Sequence, residues 1–326
     1  MSVLFLQMEI NFILFLQGLG NWLLPIMNFF TFLGSEYVYL LLLPLLYWCI
    51  DSAMGVRTAL MLVFSVHTNT LLKMSFHTPR PYWVDSQVKA FSAETSFGLP
   101  SGHSTNAVSI WGTVARSFKR GWFTALMIFV MFMIGLSRVY LGVHFVQDVL
   151  AGWALGGLIL LALSWLDKPI TRWISSKSLR FQILFCLGLT LAILSSGFLV
   201  RTLSSSFSMP SSWMTQAFDS SEVYPDPFSM EGLVTISGVF LGFSTGYAWL
   251  TKKWGSYRVE GSLKKRLIRF LVGLITVAAL YISLSLISPQ SPEVLSNIFR
   301  FIRYGLLGGW IAAGAPLLFK KLKLDQ

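Results

Sequence analysis

Charged residues are scarce in this chain. Asp, Glu, Lys and Arg make up 12% of its 326 residues, about half the share found in soluble globular proteins. Hydrophobic residues account for 54%, and the mean hydropathy is +0.65. Several apolar runs approach the roughly 20 residues that a helix needs to cross a bilayer. The composition excludes an ordinary soluble domain and predicts one polytopic membrane domain.

Cysteine and early basic residues are also nearly missing. Cys49 and Cys186, the two cysteines, both lie in apolar runs, so we expect neither a disulfide nor a thiolate metal site. No Lys or Arg precedes Arg57, so the basic start of a cleaved signal peptide is not expected. The net charge of +11 predicts basic cytoplasmic loops that face anionic lipid, and no nucleic-acid partner.

The hydrophobic pattern predicts an all-α transmembrane bundle with about nine spans. The predicted spans are 36–50, 55–74, 103–117, 122–140, 145–166, 180–200, 229–250, 266–288 and 304–320. Residues 1–34 are apolar but interrupted by glycines and by Pro25. We expect this segment to form helical pieces at the membrane interface or packed on the bundle, with an extra span as the alternative.

The distribution of basic residues predicts the orientation. If the loop at 51–54 is cytoplasmic and the spans alternate, most of the 25 Lys and Arg residues fall on the cytoplasmic side. The Ser- and Pro-rich loop 201–228 then lies on the opposite side. We expect a linker there, and a cap that shapes the substrate site is the alternative.

Glycines recur at four-residue spacing in two predicted spans. Gly238, Gly242 and Gly246 lie in one, and Gly152 and Gly156 in another. Such glycines let helix backbones approach closely in lipid. We expect packing within the chain, with a homodimer contact as the alternative.

Three polar segments should meet on the non-cytoplasmic face. The first contains Lys73 near a helix end and Arg80 between Pro79 and Pro81. Each proline disfavours helix at the residue before it, so the helix should end here. Two cations on a stiff turn suit a phosphate, although Lys73 alone fits a snorkelling anchor equally well.

The second segment is Pro100-Ser101-Gly102-His103, at the start of a predicted span. A Ser-Gly turn that enters a helix presents backbone N–H groups to an anion. His103 beside it is placed to give a proton to a leaving oxygen, and a structural histidine is the alternative.

The third segment contains Arg138, His144 and Asp148. His144 and Asp148 are four residues apart, on one face of a helix. The carboxylate can hold one imidazole nitrogen protonated and leave the other free to attack phosphorus. Arg138 can pair with two phosphate oxygens. A structural His–Asp pair at a helix end is the alternative.

Together, Lys73-x6-Arg80-Pro81, Pro100-Ser101-Gly102-His103 and Ser137-Arg138-x5-His144-x3-Asp148 resemble the three-part signature of the type-2 phosphatidic acid phosphatase superfamily. The resemblance covers about residues 36–180. It implies a six-helix phosphatase-like core. The expected organisation is N-terminal apolar helices at 1–34, the core at 35–200, and an exoplasmic loop with three accessory spans at 201–326.

The resemblance also implies a metal-independent, cofactor-free, two-step reaction. His144 would become a phosphohistidine, and Asp148 would orient its ring. His103 would protonate the leaving group and then deprotonate the attacking water. The residues implied to bind the phosphoryl oxygens are Lys73, Arg80, Ser101, Gly102 and Arg138.

The substrate is predicted less sharply. A site near the membrane surface favours a lipid phosphate or diphosphate, of the phosphatidic acid or isoprenoid diphosphate type. The stretch 80–84, Arg-Pro-Tyr-Trp-Val, is also similar to the glucose-6-phosphatase branch. A non-catalytic scaffold that binds lipid phosphates is a further alternative. The expected location is the plasma membrane, with the site on its non-cytoplasmic face.

Three polar residues receive no catalytic role. Glu94 is expected to be a solvated loop charge, with a headgroup contact as the alternative. Asn69 lies in a predicted span, where helix–helix hydrogen bonding and cavity lining both explain a polar side chain. His77 lies between Lys73 and Arg80 but outside the signature.

Overall fold

The computed structural model describes residues 3–289 and 291–324, and these residues form helices and connecting loops without β-strands. We number the helices in chain order. They are α1 Val3–Gly18, α2 Leu24–Leu33, α3 Glu36–Leu45, α4 Ser52–Phe76, α5 Pro81–Val84, α6 Gly102–Phe118, α7 Gly121–Tyr140, α8 Val146–Ser175, α9 Leu179–Leu203, α10 Ser211–Ser221, α11 Glu231–Trp254, α12 Leu263–Leu286, α13 Glu293–Gly309 and α14 Ala315–Lys321.

Each predicted span falls on a helix, so the all-α prediction is confirmed. Six helical segments are long and apolar enough to cross a membrane, and the bent pair α1–α2 would make a seventh if it forms one span. They are α7, α8, α9, α11, α12 and the segment Glu293–Lys321. The chain is therefore a multi-pass membrane protein, while the count of nine spans stays a prediction. The 25-residue α4 and the 17-residue α6 are not among the six, and both carry polar residues on the faces that build the site described below.

The helices divide into two compact units. The first contains residues 1–39, 64–162 and 198–229, and the second contains the remaining segments. Four of the boundaries fall inside helices, namely α3, α4, α8 and α9. The sequence-based division at residues 34 and 200 stays a prediction.

The first unit has an aromatic and aliphatic core. Trp83, Phe97, Tyr140 and Phe145 are almost fully buried there. Two glycines bring α8 against the start of α6: a Cβ on Gly152 would lie 2.7 Å from the Ser101 carbonyl oxygen. A Cβ on Gly156 would lie 2.5 Å from that of Thr105. The close approach expected from this glycine pair therefore occurs within the chain.

The loop at 201–228 belongs to the first unit and is not a plain linker. It contains α10, which packs on the short helix α5. The Asp226 N–H donates to the Thr95 carbonyl at 3.0 Å. Phe207 lies flat on the His77 ring, with 4.3 Å between ring centroids. The prediction of a linker was wrong because its polar residues are interspersed with aromatic ones that contribute to the core.

The second unit is held by glycines and by buried aromatic side chains. On α11, a Cβ at Gly242 would lie 1.8 Å from the Gly305 carbonyl oxygen of α13, so only glycine fits there. Between α13 and α14 the chain forms one π-helical turn. Tyr47 Oη and Trp48 Nε1 each donate to a carbonyl of that turn, both at 2.9 Å. Such bonds satisfy backbone groups that would otherwise be costly in a membrane. The glycines are used within the chain, so the predicted homodimer loses their support.

Candidate active site

The eight predicted site residues all lie in the first unit, at the ends of its helices. Lys73 is on the last turn of α4, and Arg80 directly precedes α5. Ser101, Gly102 and His103 form the start of α6, and Arg138 lies on the last turn of α7. His144 is in the loop before α8, and Asp148 is on the first turn of α8. The side chains of Lys73, Arg80, Ser101, Arg138, His144 and Asp148 are buried.

His144 and Asp148 form a buried pair. His144 Nδ1 lies 3.2 Å from Asp148 Oδ2, and the same oxygen accepts the Phe145 N–H at 3.0 Å. His144 Nε2 lies 3.2 Å from Arg80 Nη1. A neutral ring with its proton on Nδ1 satisfies both contacts, because it donates to the carboxylate and accepts from the guanidinium. The lone pair of Nε2 then lies on the side of the cations.

Arg80 connects two loops of the site. Its Nε donates to the Ser96 carbonyl at 2.6 Å, and its Nη1 donates to the Val143 carbonyl at 2.8 Å. Its Nη2 donates to Ser96 Oγ at 3.0 Å. These bonds fix a fully buried guanidinium beside the His144 ring. The rigid planar group is therefore held in one orientation.

Lys73 is held by the loop that precedes α6. Its ammonium donates to the Phe97 carbonyl and lies 3.4 Å from that of Gly98. Gly98 allows this loop to approach α8, since a Cβ there would lie 2.9 Å from Asp148 Oδ2. The lysine is therefore aimed at the site rather than extended towards the interface as an anchor.

The start of α6 is fixed from α4 and α8. Ser101 Oγ caps the helix by accepting the Ser104 N–H at 3.4 Å. The Ser101 N–H donates to the Asp148 carbonyl at 2.9 Å. Asn69 of α4 donates to Thr105 Oγ1 at 3.0 Å and to the Pro100 carbonyl at 3.2 Å. Asn69 thus makes the helix–helix hydrogen bonds that were one of its two sequence-based interpretations.

Arg138 is contacted from two sides. Its Nη2 forms an ion pair with Glu94 Oε1, and its Nη1 donates to Thr31 Oγ1 at 2.6 Å. Arg138 Nε is buried without a hydrogen-bond partner among the described residues. The second Glu94 oxygen lies 3.6 Å from Arg80 Nη2. Glu94 therefore joins the two guanidiniums, and the expectation of a solvated loop charge was wrong.

The electrostatics of the site favour an ionised Glu94 and a neutral His144. Burial opposes ionisation of Glu94, but Arg138 and Arg80 outweigh it and lower the pKa of the carboxyl to about 2. Burial lowers the pKa of His144 well below its ordinary value, and Arg80 and Lys73 lower it further. A neutral imidazole at pH 7 retains the lone pair that a nucleophile needs.

Thr31 and Glu94 were missed as site residues. Thr31 lies in an apolar run that carries no motif, and Glu94 lies in a loop that has no periodic pattern. Among residues 3–289 and 291–324, the His, Cys, Asp and Glu side chains form no group of three or more that could hold a metal ion.

These observations define a multi-pass helical membrane protein in which three buried cations surround a His–Asp pair. The sequence model of the PAP2 superfamily matches residues 55–172, and that of the PAP2 superfamily phosphatase transmembrane extension matches residues 234–326. The chain belongs to the PAP2 superfamily, the type-2 phosphatidic acid phosphatase superfamily. The resemblance noted in the sequence is thus confirmed, and the first match contains all eight predicted site residues.

Several curated proteins are similar to parts of the chain. Phosphatidylglycerophosphatase B of Bacillus subtilis (strain 168) is 40% identical over 90 residues, which cover 24% of this chain and 43% of that protein. Sphingosine-1-phosphate phosphatase 2 of Mus musculus is 31% identical over 164 residues, covering 48% and 46%. Undecaprenyl-diphosphatase of Sulfolobus acidocaldarius is 30% identical over 140 residues, covering 41% and 66%. The chain thus spans less than half of the length of the first two relatives.

Solved structures are also similar to parts of the chain. One of them is the crystal structure of the first transmembrane PAP2 type phosphatidylglycerolphosphate phosphatase from Bacillus subtilis. It matches with a TM-score of 0.43 and 28% identity, covering 50% of this chain and 87% of that chain.

Proposed function

We propose that the chain is an integral membrane phosphatase that hydrolyses a phosphate monoester or diphosphate of a lipid through a phosphohistidine on His144. The observation that carries the proposal is the contact set of the His144 ring. A carboxylate lies at Nδ1 and a guanidinium lies at Nε2, each at 3.2 Å. A neutral imidazole in this setting is both nucleophilic and adjacent to groups that bind phosphoryl oxygens.

In the first step, His144 Nε2 attacks phosphorus. A P–N bond forms as the bond from phosphorus to the leaving oxygen breaks. His103, which is protonated once the negative charge of the substrate offsets the cations beside it, gives that oxygen a proton. The ring becomes positively charged, and Asp148 stabilises this charge through Nδ1–H. Lys73, Arg80 and Arg138 balance the charge spread over the phosphoryl oxygens, together with the N–H groups at the start of α6.

In the second step, water attacks the phosphohistidine. His103, now neutral, takes a proton from the water as the new P–O bond forms. The P–N bond breaks, and its electron pair returns to His144 Nε2. Inorganic phosphate leaves, and both histidines are again in their starting protonation states. The cycle needs no metal or cofactor.

A lipid substrate is supported by the names of the relatives, which refer to phosphatidylglycerophosphate, sphingosine 1-phosphate and undecaprenyl diphosphate. The apolar composition and the membrane helices favour a substrate that stays in the bilayer. We further propose the plasma membrane as the location, with the site on the non-cytoplasmic face, which is supported by the bias of basic residues towards the other face. The homodimer stays a prediction.

The test is phosphate release by the purified protein in EDTA. The substrates are phosphatidic acid, phosphatidylglycerol phosphate, undecaprenyl diphosphate, sphingosine 1-phosphate and glucose 6-phosphate. We expect release from at least one lipid and a loss of several orders of magnitude in His144→Ala. His67→Gln is the matched control, because His67 lies on α4 outside the proposed machinery. Equal release by wild type and His144→Ala would exclude the phosphohistidine route.

The intermediate can be tested separately. With an aryl phosphate, whose leaving group needs no proton, His103→Asn should form the phosphohistidine but hydrolyse it slowly. Acid-labile, base-stable phosphate on the protein should then accumulate. It should be absent from the double variant that also carries His144→Ala. Failure to trap any phosphoprotein while release continues would point to direct attack by water.

A further inference from the structure

The bent helix pair α1–α2 contacts the site although it lies outside both matched regions. The two helices meet at 84°. We propose that Thr31 of α2 is a positioning residue for Arg138, and that the bent helix pair completes the phosphate site. This inference rests on the proposed function.

The pair is anchored on both sides of the loop that carries His144. On the α7 side, Gln17 Nε2 donates to the Tyr140 carbonyl, and Tyr140 Oη donates to the Gly20 carbonyl, both at 3.0 Å. On the α8 side, the buried Glu9 accepts the Gln147 N–H at 3.1 Å. This bond satisfies one of the unpaired N–H groups of the first turn of α8, next to Asp148. The anchors therefore place the pair against the loop at residues 141–145.

The second helix of the pair is packed along α7. The Phe30 and Phe129 rings meet edge to face, with centroids 5.9 Å apart. A Cβ on Gly34 would lie 2.7 Å from the Ile134 side chain and 3.2 Å from His103 Cδ2. The end of α2 therefore approaches both Arg138 and His103. Glycine permits this approach by its size, since its φ of −96° is accessible to other residues.

Thr31 and Glu94 hold different parts of the Arg138 guanidinium. Glu94 carries a negative charge at Nη2, so a phosphoryl group competes with it for the same donor. Thr31 is neutral and accepts at Nη1, so it can hold Arg138 both before and after a phosphate binds. The phosphoryl oxygens can then bind at Nε, which has no hydrogen-bond partner among the described residues, and at Nη2 in place of Glu94. The Thr31 hydroxyl therefore fixes the orientation of the Arg138 guanidinium without placing a negative charge beside it.

The test compares Thr31→Val, which keeps the shape and removes the acceptor, with Thr31→Ser, which keeps the acceptor. Competitive inhibition by vanadate and the KM and kcat of phosphate release are measured for each. We expect Thr31→Val to raise the inhibition constant of vanadate about tenfold, the low end of the range for a hydrogen bond to a charged group. Thr31→Ser should stay within about twofold of wild type. Thr31→Ala gives the same comparison if valine disturbs folding.

A double-mutant cycle with Arg138 tests whether Thr31 acts through the Arg138 guanidinium or only stabilises the fold. In an Arg138→Met background, Thr31→Val should change vanadate affinity no further, as a double-mutant cycle requires of groups that act through each other. Thr124→Val is the matched control, because Thr124 is exposed on α7 and its hydroxyl bonds only to the Arg120 carbonyl among the described contacts. Equal effects of Thr31→Val with and without Arg138 would overturn the proposal, as would unchanged vanadate affinity in the single variant.

Vanadate binding is also measured by its effect on thermal unfolding, which needs no turnover. If wild type binds vanadate but releases no phosphate, the proposed function fails and the Thr31 comparison still decides this inference. If wild type neither binds vanadate nor releases phosphate, both are overturned.

Discussion

Replacing Glu94 by Gln removes a negative charge from the site and leaves its shape almost unchanged. The carboxylate contacts Arg138 and lies 3.6 Å from Arg80. The pKa of the Glu94 carboxyl falls from 4.5 to about 2, which corresponds to about 3 kcal/mol of stabilisation of the ionised form. Breaking a fully buried ion pair by removing one partner costs about 3–5 kcal/mol. The Glu94 side chain is 26% exposed, so a cost at the low end of that range is expected. We therefore expect Glu94→Gln to lose about 3 kcal/mol of folding stability at pH 7.

The same substitution should strengthen anion binding. A phosphate or vanadate oxygen must replace the Glu94 carboxylate at Arg138 Nη2, and this competition disappears with the charge. We expect vanadate affinity to rise at least tenfold. Tenfold corresponds to about 1.4 kcal/mol, less than half of the ~3 kcal/mol by which the guanidiniums stabilise the Glu94 carboxylate. The variant should thus be less stable alone but more strongly stabilised by vanadate.

The assay is thermal unfolding in detergent, with and without vanadate. Wild type, Glu94→Gln and the control Asp219→Asn are compared, because Asp219 is an exposed carboxylate of the same unit. We expect Tm to fall by several degrees in Glu94→Gln alone and to recover with vanadate. Weaker vanadate binding by Glu94→Gln, or a Tm equal to that of the control, would refute the competition argument.

The pH dependence provides an independent check. The folded-state pKa of Glu94 is below its unfolded value, so its stabilisation is fully present above about pH 5 and is lost as pH falls towards about 2. Wild type should therefore lose more stability than Glu94→Gln across this window. Parallel pH profiles for the two proteins would contradict the assignment.

Two further predictions concern glycines. Gly98→Ala should reduce phosphate release at least tenfold with a small change in KM, because the added Cβ would lie 2.9 Å from the Asp148 carboxylate that contacts His144; steady-state kinetics measure this. Gly242→Ala should lower Tm strongly or prevent folding, because its Cβ would lie 1.8 Å from the Gly305 carbonyl oxygen; thermal unfolding measures this.

Each glycine prediction has a matched control. At Gly157 of α8 and at Gly232 of α11, a Cβ would meet no atom of the described residues within 4 Å. Alanine at either position should leave activity and Tm close to wild type. A Gly98→Ala protein as active as Gly157→Ala would show that the loop before α6 shifts freely. Equal Tm values for the two α11 variants would show that α11 and α13 do not approach as closely as described.

The signature residues could be predicted because they lie in three short segments that occur in a fixed order along the chain. Cations, a helix start and a His–Asp pair four residues apart each point to an anion, and alternation of spans brings them to one face. All nine predicted spans also fall on helices. The start of the final helix was predicted less well. The last span was predicted to begin at residue 304, whereas α13 begins at Glu293. In α13 the cation of Arg300 is paired with Glu231 at 2.7 Å, so a charge that suggests a loop is accommodated in a helix.

Glu94 and Thr31 could not be predicted because their roles depend on a single partner distant in sequence. A lone glutamate in a loop and a threonine in an apolar run each have a common explanation without function. Both residues matter because they contact Arg138. Its guanidinium has donors in several directions, so protein groups are needed to fix its orientation. The signature contains the cations that we propose bind phosphate, whereas Thr31 and Glu94, which contact Arg138, come from segments outside it. Variants of Thr31 and Glu94 should therefore alter anion affinity in opposite directions while the signature itself remains intact.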